Sequence, residues 1–471
     1  MPTRSGEPTA RELAASLAAK EMSARELAES YLARIARVNG ALNAAVHVDH
    51  EATLAQADNA DRALAAGERR PLLGVPVSIK DSISVAGWPC RSGSYAREHH
   101  VPKEDATAVA RLRRAGAVML CKTNLPEYTW SAETDSVIFG RTNNPYDFER
   151  TSGGSSGGEA ALHAVDASPV GLGSDGLSSI RVPAHFCGTV GLRPTVGLVP
   201  ETGVWPTTKD TGMLDMSTLG PMGRAVDDLA LLLPIIAGPD GVDPLANASP
   251  VGDAGTVDVA ALRVGYYTDD GVATSTRGTR AAVEAAALVL ANAGAAIEEA
   301  SPPPLEEVPE IAFGMMAADG GARARADLAP ACGRHVDQMT WLLASLERLA
   351  LTAEGYFELI GRWAALRGAL RRFVSNYDVV LCPVAAGPAP LHGRRPSDDG
   401  ELTDYGEYGY AFAYAIGGLP GVSVPAGAER DLPVGVQVLA PHYHDHVALA
   451  AAAVIERERT SAVPLPPLLG T

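Results

Sequence analysis

The chain is poor in aromatic residues, cysteine and positive charge, and each shortage excludes something. Phenylalanine, tryptophan and tyrosine make up 5% of its 471 residues, while alanine and glycine abound, so its helices are expected to be built of small residues and closely packed. Five cysteines stand far apart, at Cys90, Cys121, Cys187, Cys332 and Cys382. An odd, unclustered set is neither a disulfide framework nor a paired metal site, which leaves buried free thiols in a reducing compartment. Lysine and arginine number 39 against 56 aspartates and glutamates, a net charge of −17. A surface that acidic repels phosphate and speaks against nucleic-acid binding through a broad basic face. No apolar run reaches the ~20 residues that span a bilayer. The longest candidate, Leu229–Ala237, is short and contains Pro234. The N-terminus, MPTRSGEPTAREL, has no apolar signal-peptide core, so a cytoplasmic location is expected.

What is present is a folding chain: 46% hydrophobic and 20% charged, which is inconsistent with disorder. Its length fits two or three domains or one large α/β unit. Thr9–Glu12 and Ser23–Glu26 have the form of capping boxes. After Ser23, residues Leu27, Tyr31, Leu32, Ile35 and Val38 fall on one helical face, with Gly40 as the stop. Leu73–Lys80 reads as a short buried strand ending at a lysine, Asp105–Arg114 as a helix closed by Gly116, and Ala117–Cys121 as a strand. That alternation argues an α/β fold. Further helices are expected over Ala225–Ala237, Thr276–Ala293, Thr340–Val374 and Asp445–Arg457. Strands are expected at Leu262–Tyr267 and Tyr377–Cys382, with Val422–Pro425 paired to Val434–Val438. Residues 239–260 and 383–400 read as loops, and Pro464–Gly470 as an extended surface segment.

Three residues, each a weak signal taken singly, together make a serine–lysine acyl-transfer site chemically coherent. Lys80 ends a strand, Ser155 sits in the glycine-rich run Thr151–Gly158, and Ser179 follows Gly-Ser-Asp-Gly-Leu-Ser and precedes a helical pattern. A serine hydroxyl is a poor nucleophile unless a base takes its proton, and a lysine serves as that base only when burial keeps it neutral. Glycine-rich turns also aim backbone amides at a developing oxyanion. The run Thr151–Gly158 is not a phosphate loop, because no lysine follows its glycines.

In combination these segments resemble the amidase signature family of serine hydrolases. The core of the resemblance is Gly153–Glu159, Gly171–Asp175, Ser179–Ala184, Phe186–Gly188 and Gly191–Thr195. Supporting matches are Gly74–Asp81, Lys122–Glu127, Gly140–Pro145, Gly220–Arg224, Gly418–Pro425 and Leu432–Gln437, so the likeness runs nearly the whole chain. The segment Leu262–Asp269 looks like the fatty acid amide hydrolase branch. The resemblance implies a central mixed β-sheet covered by helices on both faces, within one domain spanning residues 1–471. That domain divides into a helical segment (about 8–70), a signature core (about 71–225) and a C-terminal part (about 226–471).

The resemblance also implies a relay in which Ser179 is the nucleophile, Ser155 bridges on a cis peptide bond and Lys80 is the terminal base. Ser156, Asp175 and Arg181 would support the loop, and Thr129 and Trp130 would line the acyl pocket. The positions that supply oxyanion amides are Gly176, Leu177 and Ser178, where the family has a small or β-branched residue and then Gly-Gly. Three outcomes are open. The loop keeps its path, or it shifts and places Leu177 in the pocket, or it loses a donor at roughly 10²–10³ in rate. The variable pocket walls would come from residues 125–145, 200–217 and 310–375, with Met213, Met216, Met222, Met315 and Met316 as an adaptable lining.

No metal or organic cofactor is implied. The histidines of His442–His446 precede the last helix where relatives carry a surface turn, and Asp227–Asp228 and Glu306–Glu307 read as solvated charge. The expected activity is hydrolysis of a small-molecule carboxamide, without nucleic acid or membrane span; monomer and homodimer are both left open. Alternatives are an acyl transferase or amide-forming enzyme using the same acyl-serine, the glutaminase subunit of a tRNA-dependent amidotransferase, and a catalytically impaired binding protein.

Overall fold

Both capping boxes form. Thr9 accepts from the Glu12 amide at 3.1 Å while Glu12 accepts from the Thr9 amide at 2.8 Å, and Ser23 and Glu26 repeat the exchange at 3.1 and 2.9 Å. They start the helices Ala10–Ala19 and Ala24–Leu42. Gly40 is not the stop: the helix runs on to Leu42, and Asn43 takes the left-handed cap at φ 51°. The computed structural model describes residues 6–207, 215–394, 406–459 and 463–469.

Among the described residues the fold centres on an eleven-stranded mixed sheet. From one edge its order is Ala45–His47, Val118–Thr123, Pro76–Lys80, Val170–Asp175, Thr218–Gly223, Val190–Arg193, Gly421–Glu429, Leu432–Leu439, Val379–Pro383, Arg263–Tyr266 and Ala296–Glu299. Pro76–Lys80 is parallel to both neighbours, which places the C-terminal ends of three strands side by side. Gly421–Glu429 and Leu432–Leu439 form an antiparallel hairpin.

Alternate residues of a strand feed opposite faces. Val379 and Leu381 join a core with Val283, Leu290, Leu449 and Ile455. Val380 and Cys382 join another with Ile311, Leu370, Phe412 and Tyr414. Helices therefore cover both faces, as the family resemblance implied.

Several expectations are corrected. The helical stretch expected over Thr340–Val374 is two helices, Asp337–Glu347 and Ala353–Ser375, the second started by Thr352 capping the Gly355 amide at 3.1 Å. A helix over His50–Ala65 is additional. Cys332 is exposed, unlike the other four cysteines, because it ends a surface turn. Asp228 is not solvated charge: it is buried and accepts the Ala10 amide at 2.7 Å, tying the first helix to Val226–Ile236. The loop 239–260 contains short 3₁₀ turns at Ala254–Thr256 and Val259–Ala261, and Pro467–Leu469 forms another in the tail. Residues 395–400 of the loop expected at 383–400 lie outside the described residues, as does Gly470.

Candidate active site

Lys80 is the last residue of its strand and is fully buried. Its Nζ donates to Ser155 Oγ at 2.6 Å and to Ser174 Oγ at 3.0 Å. Burial strips water from the ammonium and lowers its pKa to about 7, against the opposing pull of Asp175 and Glu159. A neutral amine is thus accessible near neutral pH at the inner end of a serine contact.

The Gly154–Ser155 peptide bond is cis. Only glycine fits before it, since a Cβ at 154 would lie 2.6 Å from the Ser131 carbonyl oxygen. Ser156 then holds the two serine loops together: its amide donates to the Ser179 carbonyl at 3.0 Å and its hydroxyl to the Ser174 carbonyl at 3.3 Å. The helix Gly157–Ala164 follows directly.

The loop bearing Ser179 is anchored from beneath. Asp175 accepts from Arg181 Nε and Nη2 at 3.0 Å each, and from the Ile180 amide at 3.1 Å. Arg181 also donates to the Leu177 carbonyl at 2.5 Å and to Gln437 at 2.5 Å. Two arginines beside it, Arg181 and Arg193, hold the Asp175 carboxyl below the usual range despite its burial. Gly176, Leu177 and Ser178 all stay out of the positive-φ region, so leucine and serine occupy the path without the conformation that glycine alone favours. No hydrogen bond among the described residues uses the amides of Leu177, Ser178 or Ser179, which leaves them free for an incoming oxygen.

Ser155, Ser174, Ser178 and Ser179 line one cavity of about 820 Å³, counting its mouth. Its wall is apolar: Trp130, Leu177, Phe313, Met316, Leu342 and Phe412 contribute, and no described lining residue carries a charge. Thr129 and Trp130 both reach it, at a turn where Tyr128 and Thr129 adopt φ 61° and 63°. Tyr128 braces that turn, edge-on to Trp130 at 4.8 Å and Trp205 at 5.0 Å, with its hydroxyl on Asp327 at 2.8 Å.

Of the methionines, Met316 lines the cavity, Met216 and Met315 pack in the core behind it, and Met222 packs beneath Ile180. Met213 lies outside the described residues. Ser174 and Phe412 are the cavity residues that sequence reading missed. Ser174 had a signal, since it lies in the Gly171–Asp175 motif; Phe412 had none. His442, His444 and His446 sit at the turn into Asp445–Glu458, where Asp445 accepts from Thr195. Among the described residues no three histidine, cysteine or acidic side chains gather as metal ligands, and no helix is long and apolar enough to cross a membrane.

A family model described as Amidase matches residues 26–449. The chain belongs to the amidase family. It is 36% identical to a subunit of glutamyl-tRNA(Gln) amidotransferase from Thermus thermophilus, over 96% of this chain and 98% of that one. Among solved structures it resembles a bacterial aryl acylamidase of the amidase signature enzymes at 25% identity, with a TM-score of 0.84 and 96% of each chain covered. Fatty acid amide hydrolase shares the fold, at 24% identity and a TM-score of 0.86, over 98% of this chain and 85% of that one.

Proposed function

We propose that this amidase-family chain cleaves a carboxamide C–N bond through an acyl-enzyme on Ser179. The observation that carries the reading is the 2.6 Å contact between a water-stripped Lys80 amine and Ser155 at the floor of the cavity that Ser179 lines. Neutral Lys80 takes the Ser155 proton as Ser155 takes the proton of Ser179. Ser179 Oγ attacks the carbonyl carbon, and the oxyanion faces the free amides of Leu177, Ser178 and Ser179. The relay then returns the proton to the nitrogen, the amine or ammonia leaves, and water cleaves the ester.

Two observations bear on which amide. Kinship favours glutamine: likeness to the tRNA amidotransferase ranks the glutaminase reading above the small-molecule amidase that the sequence alone put first. Among the described residues the cavity lining carries no charge, which favours an apolar carboxamide, because the ammonium and carboxylate of glutamine call for charged partners. The deciding experiment measures ammonia released from glutamine and from benzamide by the chain purified alone, with Ser179→Ala and Lys80→Ala as controls. Release from glutamine supports the amidotransferase reading, and release from benzamide the hydrolase. Full turnover by Ser179→Ala sinks the acyl-enzyme.

A further inference from the structure

Beside the proposed relay lies a buried carboxylate. Glu159 sits on the helix that begins just after Ser155 and Ser156 and is fully buried. One carboxylate oxygen accepts from Ser78 Oγ at 2.5 Å, the other from Thr123 Oγ1 at 2.8 Å. Ser78 is two residues before Lys80 on the same strand, so both side chains leave the same face. Thr123 is the cross-strand partner of Lys80. Glu159 therefore pins the helix behind Ser155 to the two strands that present Lys80. Space for it is reserved at Gly171, where a Cβ would lie 2.1 Å from its Oε2.

Its charge differs in setting from the other buried carboxylate near Lys80. Asp175 is clamped by Arg181 at 3.0 Å with Arg193 at 3.5 Å, whereas Glu159 meets no guanidinium among the described residues. Against it stand Ser78 from one strand, Thr123 from the next, Gly171 from the third and His163 on its own helix, and its charge is also felt by Lys80, two residues on from Ser78, and by Cys121, two residues before Thr123. His163 Nε2 lies 3.2 Å from its Oε2.

We infer that Glu159 is a positioning residue for the Lys80–Ser155 relay, acting both as a strut between helix and strands and as the buried negative charge that steadies the Lys80 ammonium. The inference rests on the amide-cleaving reading above. Removing the charge while keeping the shape leaves less to favour the protonated amine, so neutral Lys80 persists to lower pH.

The test follows the rate at which a fluorophosphonate labels Ser179 across pH 5.5 to 9, with Ser179→Ala as the blank. In Glu159→Gln the acid limb of that profile is expected to move down by about half to one pH unit relative to wild type. In Ser78→Ala, which cuts the strut and keeps the charge, labelling is expected to slow roughly tenfold with the limb unmoved. A Glu159→Gln limb at the wild-type position overturns the inference while labelled wild type leaves the amide-cleaving reading standing. If wild type takes no label, that reading falls and the inference with it. Should Glu159→Gln fail to fold by circular dichroism, Ser78→Ala decides: a wild-type rate there overturns the strut.

Discussion

Lys80 shows how far a single residue depends on its surroundings. Its carbon chain and amine are those of any surface lysine, and full burial beside Ser155 and Ser174 brings its pKa down to about 7. On the proposed chemistry the reactive form is the neutral one. Below pH 7 the relay gains a proton it cannot use, so kcat/KM is expected to fall about tenfold per pH unit, levelling above pH 8. A pH profile on an uncharged amide checks this, and a flat profile from pH 5 to 8 removes Lys80 as the base. Lys80→Arg, cationic at every accessible pH, is expected to lose at least 10³ in rate. Sequence singled out Lys80, Ser155 and Ser179 because ordered motifs surround them, and the structure puts Lys80 against Ser155 and both serines on one cavity. Glu159 lay within a quoted motif yet its role was invisible, since Ser78 and Thr123, which it binds, are distant in the chain.

Elements were readable where their ends carry side-chain signals. The two capping boxes and the hairpin Gly421–Leu439 form where expected. The helix His50–Ala65 escaped notice because its buried face is Thr53, Ala57, Ala60 and Leu64, mostly small residues with little hydrophobic contrast. The break before Thr352 lies within the run Arg348–Leu351, which contains neither glycine nor proline. Asp228 misled for a related reason: Asp227-Asp228 looks like a wet helix start, while the first helix folds back over the second carboxylate. Burial pushes Asp228 up to about 7. An unfolded aspartate ionises near pH 4, so between about pH 4 and 7 the folded chain holds a proton that the unfolded chain has released. Stability from this group is complete below pH 4 and declines as pH rises through 7, by about 1.4 kcal/mol per unit at most. Melting temperatures at pH 5 and 8 should therefore differ less in Asp228→Asn, whose amide oxygen still accepts from Ala10, than in wild type. Equal pH dependence in the two proteins refutes the assignment.

At the scale of the whole molecule the site is built from both ends of the chain. Ser155 and Ser179 line the floor with Lys80 buried behind Ser155, and Phe313, Met316, Leu342 and Phe412, from far later in sequence, complete the wall. The floor's motifs are local and stood out; of the wall, Phe313 and Leu342 were legible only as part of a span and Phe412 not at all, because which side chains turn inward is settled by helix packing. Phe313 stands at a boundary. It lines the cavity and also an open groove with Pro309, Leu349, Leu351 and Leu359, rimmed by Glu310, Glu358 and Arg362, so the two spaces share this residue. Replacing that ring by a methyl group is expected to join them without touching the floor. On the proposed chemistry, Phe313→Ala should gain at least fivefold in kcat/KM for a decanoyl amide relative to a butanoyl amide. Each methylene newly buried in the groove contributes about 0.8 kcal/mol at most. Labelling of Ser179 by a small fluorophosphonate should stay within twofold of wild type, since that probe needs only the floor. An unchanged chain-length preference alongside normal labelling would show that the groove is not an extension of the cavity and that the end of the acyl site lies elsewhere in the wall.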